Sequence, residues 1–174
     1  MNVNLENEFL KVTISTHGAE LISVINKENG LEYMWQANPA HWKRHAPILF
    51  PNVGKYKDGK FIYNGKEYKQ AQHGFARDME FALIEKTNNS AFFELLYNDD
   101  TLKVYPFKFS LVLGFILEKN ELTLTYEVAN VDDKKMYFQI GGHPAFNVPL
   151  TDGSRNEMKI ISISLVRIRL LAVR

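Results

Sequence analysis

The chain has 174 residues, enough for one domain, and its 45% apolar and 13% aromatic content supports a solid core. A net charge of +1 excludes a general electrostatic pull toward nucleic acid or an anionic membrane surface. The absence of cysteine excludes disulfides, thiolate metal sites and a cysteine nucleophile, and fits a reducing cytoplasm.

The N-terminus has no basic region followed by an apolar run, so no signal peptide is expected. Period-two alternation then dominates. Residues 9–15, 19–25, 81–86, 91–97, 107–117 and 121–131 read as strands rich in β-branched and aromatic side chains. Asn64-Gly65, between 60–63 and 66–69, predicts a two-residue type I′ hairpin. His17-Gly18, Asn88-Asn89, Asn98-Asp99-Asp100 and Lys119-Asn120 read as turns, and 38–42 as a single helical turn. No stretch keeps a 3.6-residue period. Short strands joined by tight turns predict an all-β antiparallel sandwich or barrel.

Two segments interrupt this plain β pattern: His73-Gly74-Phe75-Ala76-Arg77-Asp78 and Gly141-Gly142-His143-Pro144-Ala145-Phe146-Asn147. Each sets one histidine, an acid or base near neutrality with an ordinary pKa of about 6.5, in a constrained backbone. Proline after His143 holds that residue extended, and glycine beside each histidine lets backbone or ligand come close. The pair reads as a site; the alternative is two hydrogen-bonded histidines in turns. Four residues apart on an extended chain, His73 and Arg77 would share a face, and Arg77 could present two parallel N–H groups to ligand oxygens. The competing reading is a surface ion pair of Arg77 with Asp78 or Glu80. Asn147 is either a turn residue or a ligand amide. Residues 42–56 form a proline-bounded loop in which Pro47, Ile48, Leu49 and Phe50 suit a hydrophobic plug and Arg44 a ligand contact. His41 and His45 read as structural. No phosphate-cradling loop, HExxH metal motif or serine elbow is present, and no metal or cofactor is expected.

The last residues break the habits of the rest. Residues 1–154 hold only two arginines, Arg44 and Arg77, whereas 155–174 hold four, and the last acidic residue is Glu157. An abnormal tail, truncated or frameshifted, is therefore expected at 153–174, with 1–152 as the organised part.

The segments APILFPNVGKYKDGKFIYNGKEY, HGFARDMEF, YPFKFSL and IGGHPAFNVPL, in this order and spacing, resemble the aldose 1-epimerase (galactose mutarotase-like) family, closest to its bacterial LacX-type branch. The resemblance runs from about Leu5 to about Leu150. It implies an antiparallel β-supersandwich, incomplete here at its C-terminus, that interconverts the α and β anomers of an aldose such as a hexose without a cofactor. It implies His73 and His143 as the catalytic histidines, His143 as general acid. It further implies Arg44 or Arg77 as a substrate-binding arginine, and beside them Asp78, Asn147 and Phe75 are expected as substrate contacts on the residues' own chemistry. The family's general base is a glutamate far downstream of the second histidine. Here only Glu157 follows, in an unrelated context, which opens a second reading: a non-catalytic sugar-binding or regulatory protein that keeps the pocket without the base. The expected partner is a small sugar, not nucleic acid or membrane, with exposed strand faces inviting a homodimer. A ligand-free structural sandwich would instead leave the two histidine rings more than about 10 Å apart, too far to share a sugar.

Overall fold

The computed structural model describes residues 1–148 and, as backbone strand, 167–172. Two antiparallel sheets dominate. The first is three-stranded, in the order β1 (Asn2–Glu6), β2 (Leu10–Ser15), β3 (Glu20–Asn26). The second is five-stranded. Its antiparallel part runs β7 (Ala82–Lys86), β8 (Ser90–Leu96), β9 (Phe109–Glu118) and β10 (Glu121–Asn130), and β12 (Arg167–Ala172) adds to β10 in parallel. A separate hairpin joins β5 (Lys60–Tyr63) to β6 (Lys66–Lys69). At its tip Asn64 and Gly65 both take positive φ, 49° and 76°, as a type I′ turn demands.

Alternation explains the packing. β1 buries Val3 and Leu5, β2 buries Leu10, Val12 and Ile14, and β8 buries Ala91, Phe93 and Leu95. All join one core cluster. β9, with β8 and β10 on either side, is buried on both faces, so it reads as a continuous apolar run rather than an alternating one. Phe50, Phe107 and Phe109 are almost fully buried, each contributing about 1.5–3 kcal/mol of burial free energy.

The structure corrects several expectations. β1 was not foreseen as a strand. Asn98, expected in a turn, instead caps a helix, α1 (Asp99–Val104): its side chain accepts from the Asp100 and Thr101 N–H groups, and Thr101 accepts the Asn98 N–H in return. The two-residue strands β4 (Ile48–Leu49) and β11 (Gly141–Gly142) pair antiparallel inside segments expected to be irregular. The turn at 38–42 is present, with the His41 and Trp42 N–H groups both donating to the Asn38 carbonyl at 3.0 Å. Pro47 to Phe50 are buried as the expected plug. The expected boundary at 152/153 and Glu157 lie outside the described residues. No helix among the described residues is long and apolar enough to cross a membrane.

Candidate active site

Residues 139–147 form a seam between two distant pieces of chain. On one side the Gln139 N–H donates to Pro51 O (2.9 Å), β11 pairs with β4, the His143 N–H donates to Pro47 O (3.1 Å) and the Ala145 N–H to His45 O (2.8 Å). On the other, the Trp35 N–H donates to Ala145 O (3.0 Å) and the Asn147 N–H to Tyr33 O (2.8 Å). Buried Glu20 pins the loop, its Oε1 accepting from the His45 and Ala46 N–H groups at 2.7 and 2.9 Å. Gly142 is exposed, and a Cβ there would point at the hydroxyl of Tyr126, a buried residue of β10, 2.8 Å away. In extended chain the next side chain points the other way, so His143 faces out and is exposed.

His73 is held by a different device. Its φ is +69°, a left-handed value uncommon outside glycine. Gly74 follows with φ +72°, and a Cβ there would sit 2.1 Å from the Phe50 carbonyl oxygen. That same oxygen accepts the N–H groups of Phe75 and Ala76, at 3.0 and 3.2 Å. The His73 N–H donates to Gly54 O (2.8 Å), and the Gly54 N–H donates to His73 Nδ1 (3.0 Å). An Nδ1 that accepts cannot carry the proton, so in neutral His73 the hydrogen sits on Nε2. Gln72 lies 3.2 Å from that nitrogen. The Gln72 atom placed there is the amide Nε2, a donor facing a donor, and exchanging the amide's oxygen and nitrogen supplies the acceptor this ring proton needs. Burial, then the Arg77 guanidinium, then His143 hold His73 below the ordinary histidine pKa.

The two imidazoles meet. Their ring centroids are 6.5 Å apart at 65°, well inside the separation that a ligand-free sandwich would give. Trp42 lies over His143, centroids 5.0 Å apart. Trp42 opens the 42–56 loop, whose aromatics suit a ligand wall, but its sequence context assigns it no role of its own beyond an aromatic between prolines.

The arginines also converge. Arg44 Nη2 donates to Asp78 Oδ1 at 2.6 Å, and Arg77 Nε stands 3.6 Å from Asp78 Oδ2, so one carboxylate lies between two guanidiniums. Arg77 Nη2 donates to Gln72 O at 2.7 Å. Arg77 reaches this place through a 3-10 turn at Ala76–Asp78, not along the extended chain expected from its spacing to His73. Two expected ligand contacts sit elsewhere. Phe75 packs into an aromatic cluster with Phe50, Tyr105 and Phe109, at centroid distances of 6.3, 6.3 and 6.0 Å. The Asn147 amide donates to the Glu32 and Met34 carbonyls at 2.9 and 2.8 Å, so its donors clip two segments together.

Comparison with known proteins bears on this arrangement. Residues 1–168 match the family model described as aldose 1-epimerase. Protein LacX (plasmid) of Lactococcus lactis subsp. lactis is 38% identical over 163 residues, covering 90% of this chain and 54% of the relative. A galactose mutarotase related enzyme from Lactobacillus acidophilus superposes with a TM-score of 0.85 at 47% identity, covering 87% of this chain and 50% of that one. A galactose mutarotase-like protein from Lactobacillus casei gives 0.84 at 40% identity, covering 87% and 52%. The chain spans about half the length of the relatives it matches.

Proposed function

The chain belongs to the aldose 1-epimerase family, in its LacX branch, and its fold is the mostly antiparallel, galactose mutarotase-like β-sandwich; from that premise we propose that His73 and His143 form the proton-handling face of a site that interconverts aldose anomers. The observation that carries the proposal is the 6.5 Å approach of two rings held by unrelated parts of the chain.

In this reading a cyclic aldose lies across the two imidazoles. His143, exposed at the cleft, gives a proton to the ring oxygen as the C1–O5 bond breaks. His73, its hydrogen on Nε2, turns that N–H from the Gln72 amide to the anomeric oxygen and shares the charge that develops there. A base takes the anomeric hydroxyl proton, leaving an open-chain aldehyde. Rotation about C1–C2 and closure on the other face of the carbonyl return the proton and give the other anomer. Arg44 and Arg77 hold sugar hydroxyls. The Asp78 carboxylate offsets one of their two charges, which favours a neutral sugar over a phosphorylated one. Among the described residues, the carboxylate beside the arginines, Asp78, is held between two guanidiniums, which suits it poorly to accept a proton. That observation favours a second reading, in which the chain binds sugar but lacks the base and does not turn it over.

Optical rotation or exchange NMR of α-glucose and α-galactose separates the two. Turnover predicts a rate enhancement that drops about 10²–10⁴-fold in His143→Ala, the span of one positioned acid. Saturable binding without rate enhancement supports the second reading, and a rate indifferent to both His143→Ala and His73→Ala sinks the first.

A further inference from the structure

We propose that Trp42 is the positioning residue for His143, an inference that rests on the acid role given to His143 above. A histidine that transfers protons ordinarily has a third group to orient its ring, most often through a hydrogen bond to the nitrogen away from substrate. Among the described residues His143 has no such bond. Its backbone N–H donates to Pro47 O, while its ring meets aromatic faces: Trp42 at 5.0 Å and 47°, His73 at 6.5 Å. The indole, the nearer of these two rings, is thus placed to limit rotation of an otherwise exposed imidazole.

Trp42 is itself held by a closed circuit. Its N–H donates to Asn38 O at 3.0 Å, and its carbonyl accepts the Trp35 indole N–H at 2.8 Å. The backbone N–H of Trp35 donates in turn to Ala145 O, two residues beyond His143. One residue, Trp35, thus ties the segment that bears the imidazole to the loop that bears the indole. Displacing either element moves both, so the ring-to-ring contact is built into the backbone. Reacting groups misplaced by about 1 Å can lose as much as about 10²-fold in rate, so a wall that fixes ring direction acts on turnover rather than on affinity.

The test compares Trp42→Leu, Trp42→Phe and Trp35→Phe in the full chain, read by imidazole NMR and by anomerisation kinetics. In Trp42→Leu the His143 ring signals should lose the indole ring-current shift and average over rotamers, while His73 signals hold. kcat should fall about 10-fold with KM changed less than about 2-fold, and Trp42→Phe should restore most of the loss. Trp35→Phe, which removes the indole N–H but leaves both rings, should loosen His143 to a smaller extent. This gives a reading even if the leucine variant fails to fold. His143 signals that stay unchanged in the Trp42 and Trp35 variants overturn the proposal, as does a loss that falls entirely in KM. A rate that ignores His143→Gln removes the acid role instead, and is told apart because the ring signals report the contact without turnover.

Discussion

The two histidine-bearing segments bring their rings together by opposite means. His73 is bound through its ring: Gly54 donates to Nδ1, the backbone is left-handed, and the following glycine lies against the Phe50 carbonyl. His143 is bound through its backbone, laid as one rung of the seam, with its ring beside Trp42 and His73 and making no hydrogen bond among the described residues. A ring with a fixed tautomer suits a donor that must stay neutral and point one way. A ring with open nitrogens suits a group that must gain and lose a proton in each turnover. In the proposed reaction, the division of labour between the two histidines would follow which part of each the chain ties down.

The contrast can be broken from either side. The largest effect is expected from Gly74→Ala. Its Cβ would meet backbone atoms of Phe50 that cannot move aside, at a positive φ, and the fold should lose about 3 kcal/mol or more in denaturant melts. Gly142→Ala, the counterpart on the His143 side, meets only the end of the Tyr126 ring, so a loss of about 1–2 kcal/mol is expected there. Equal losses in the two variants would erase the distinction between a rigid turn and a more yielding seam. The smallest effect concerns pH. Because the folded chain holds His73 below its ordinary pKa, the unfolded chain takes up the proton first. The stability that neutral His73 contributes is therefore present above about pH 6.5 and lost as the pH falls through the lower folded value. Tm should drop on acidification, and drop less in His73→Asn, since asparagine tolerates the same left-handed backbone. Parallel Tm profiles for the two proteins would show that His73 is not held neutral.

Much of the sandwich was legible because alternation is a local signal: β2, β3 and β7 to β10 fall within a residue or two of their expected bounds. β1 alternates too, but its outward residues are asparagine and glutamate, which are poor strand formers, and its pairing with β2 is what secures it. α1 was hidden because asparagine followed by two aspartates is turn chemistry; the threonine that completes the capping box was the overlooked clue. β4 and β11 have no local pattern at all, since two residues of strand exist only by pairing with each other. The histidines stood out through residue type and their glycine and proline neighbours. What Phe75 and Asn147 touch did not, because an aromatic or an amide serves packing and recognition equally well until its direction is known.

The seam has a consequence for how the molecule comes together. It joins Val53 to Gln139, 86 residues apart, and Glu32 to Asn147, 115 residues apart. Contacts this remote wait until nearly the whole described chain has been laid down, because closing such large loops is entropically costly. The hairpins can assemble early, but the meeting of the imidazoles belongs to the final stage. Sugar recognition would then serve as a gauge of finished assembly, silent in any intermediate that holds its sheets but has yet to zip shut.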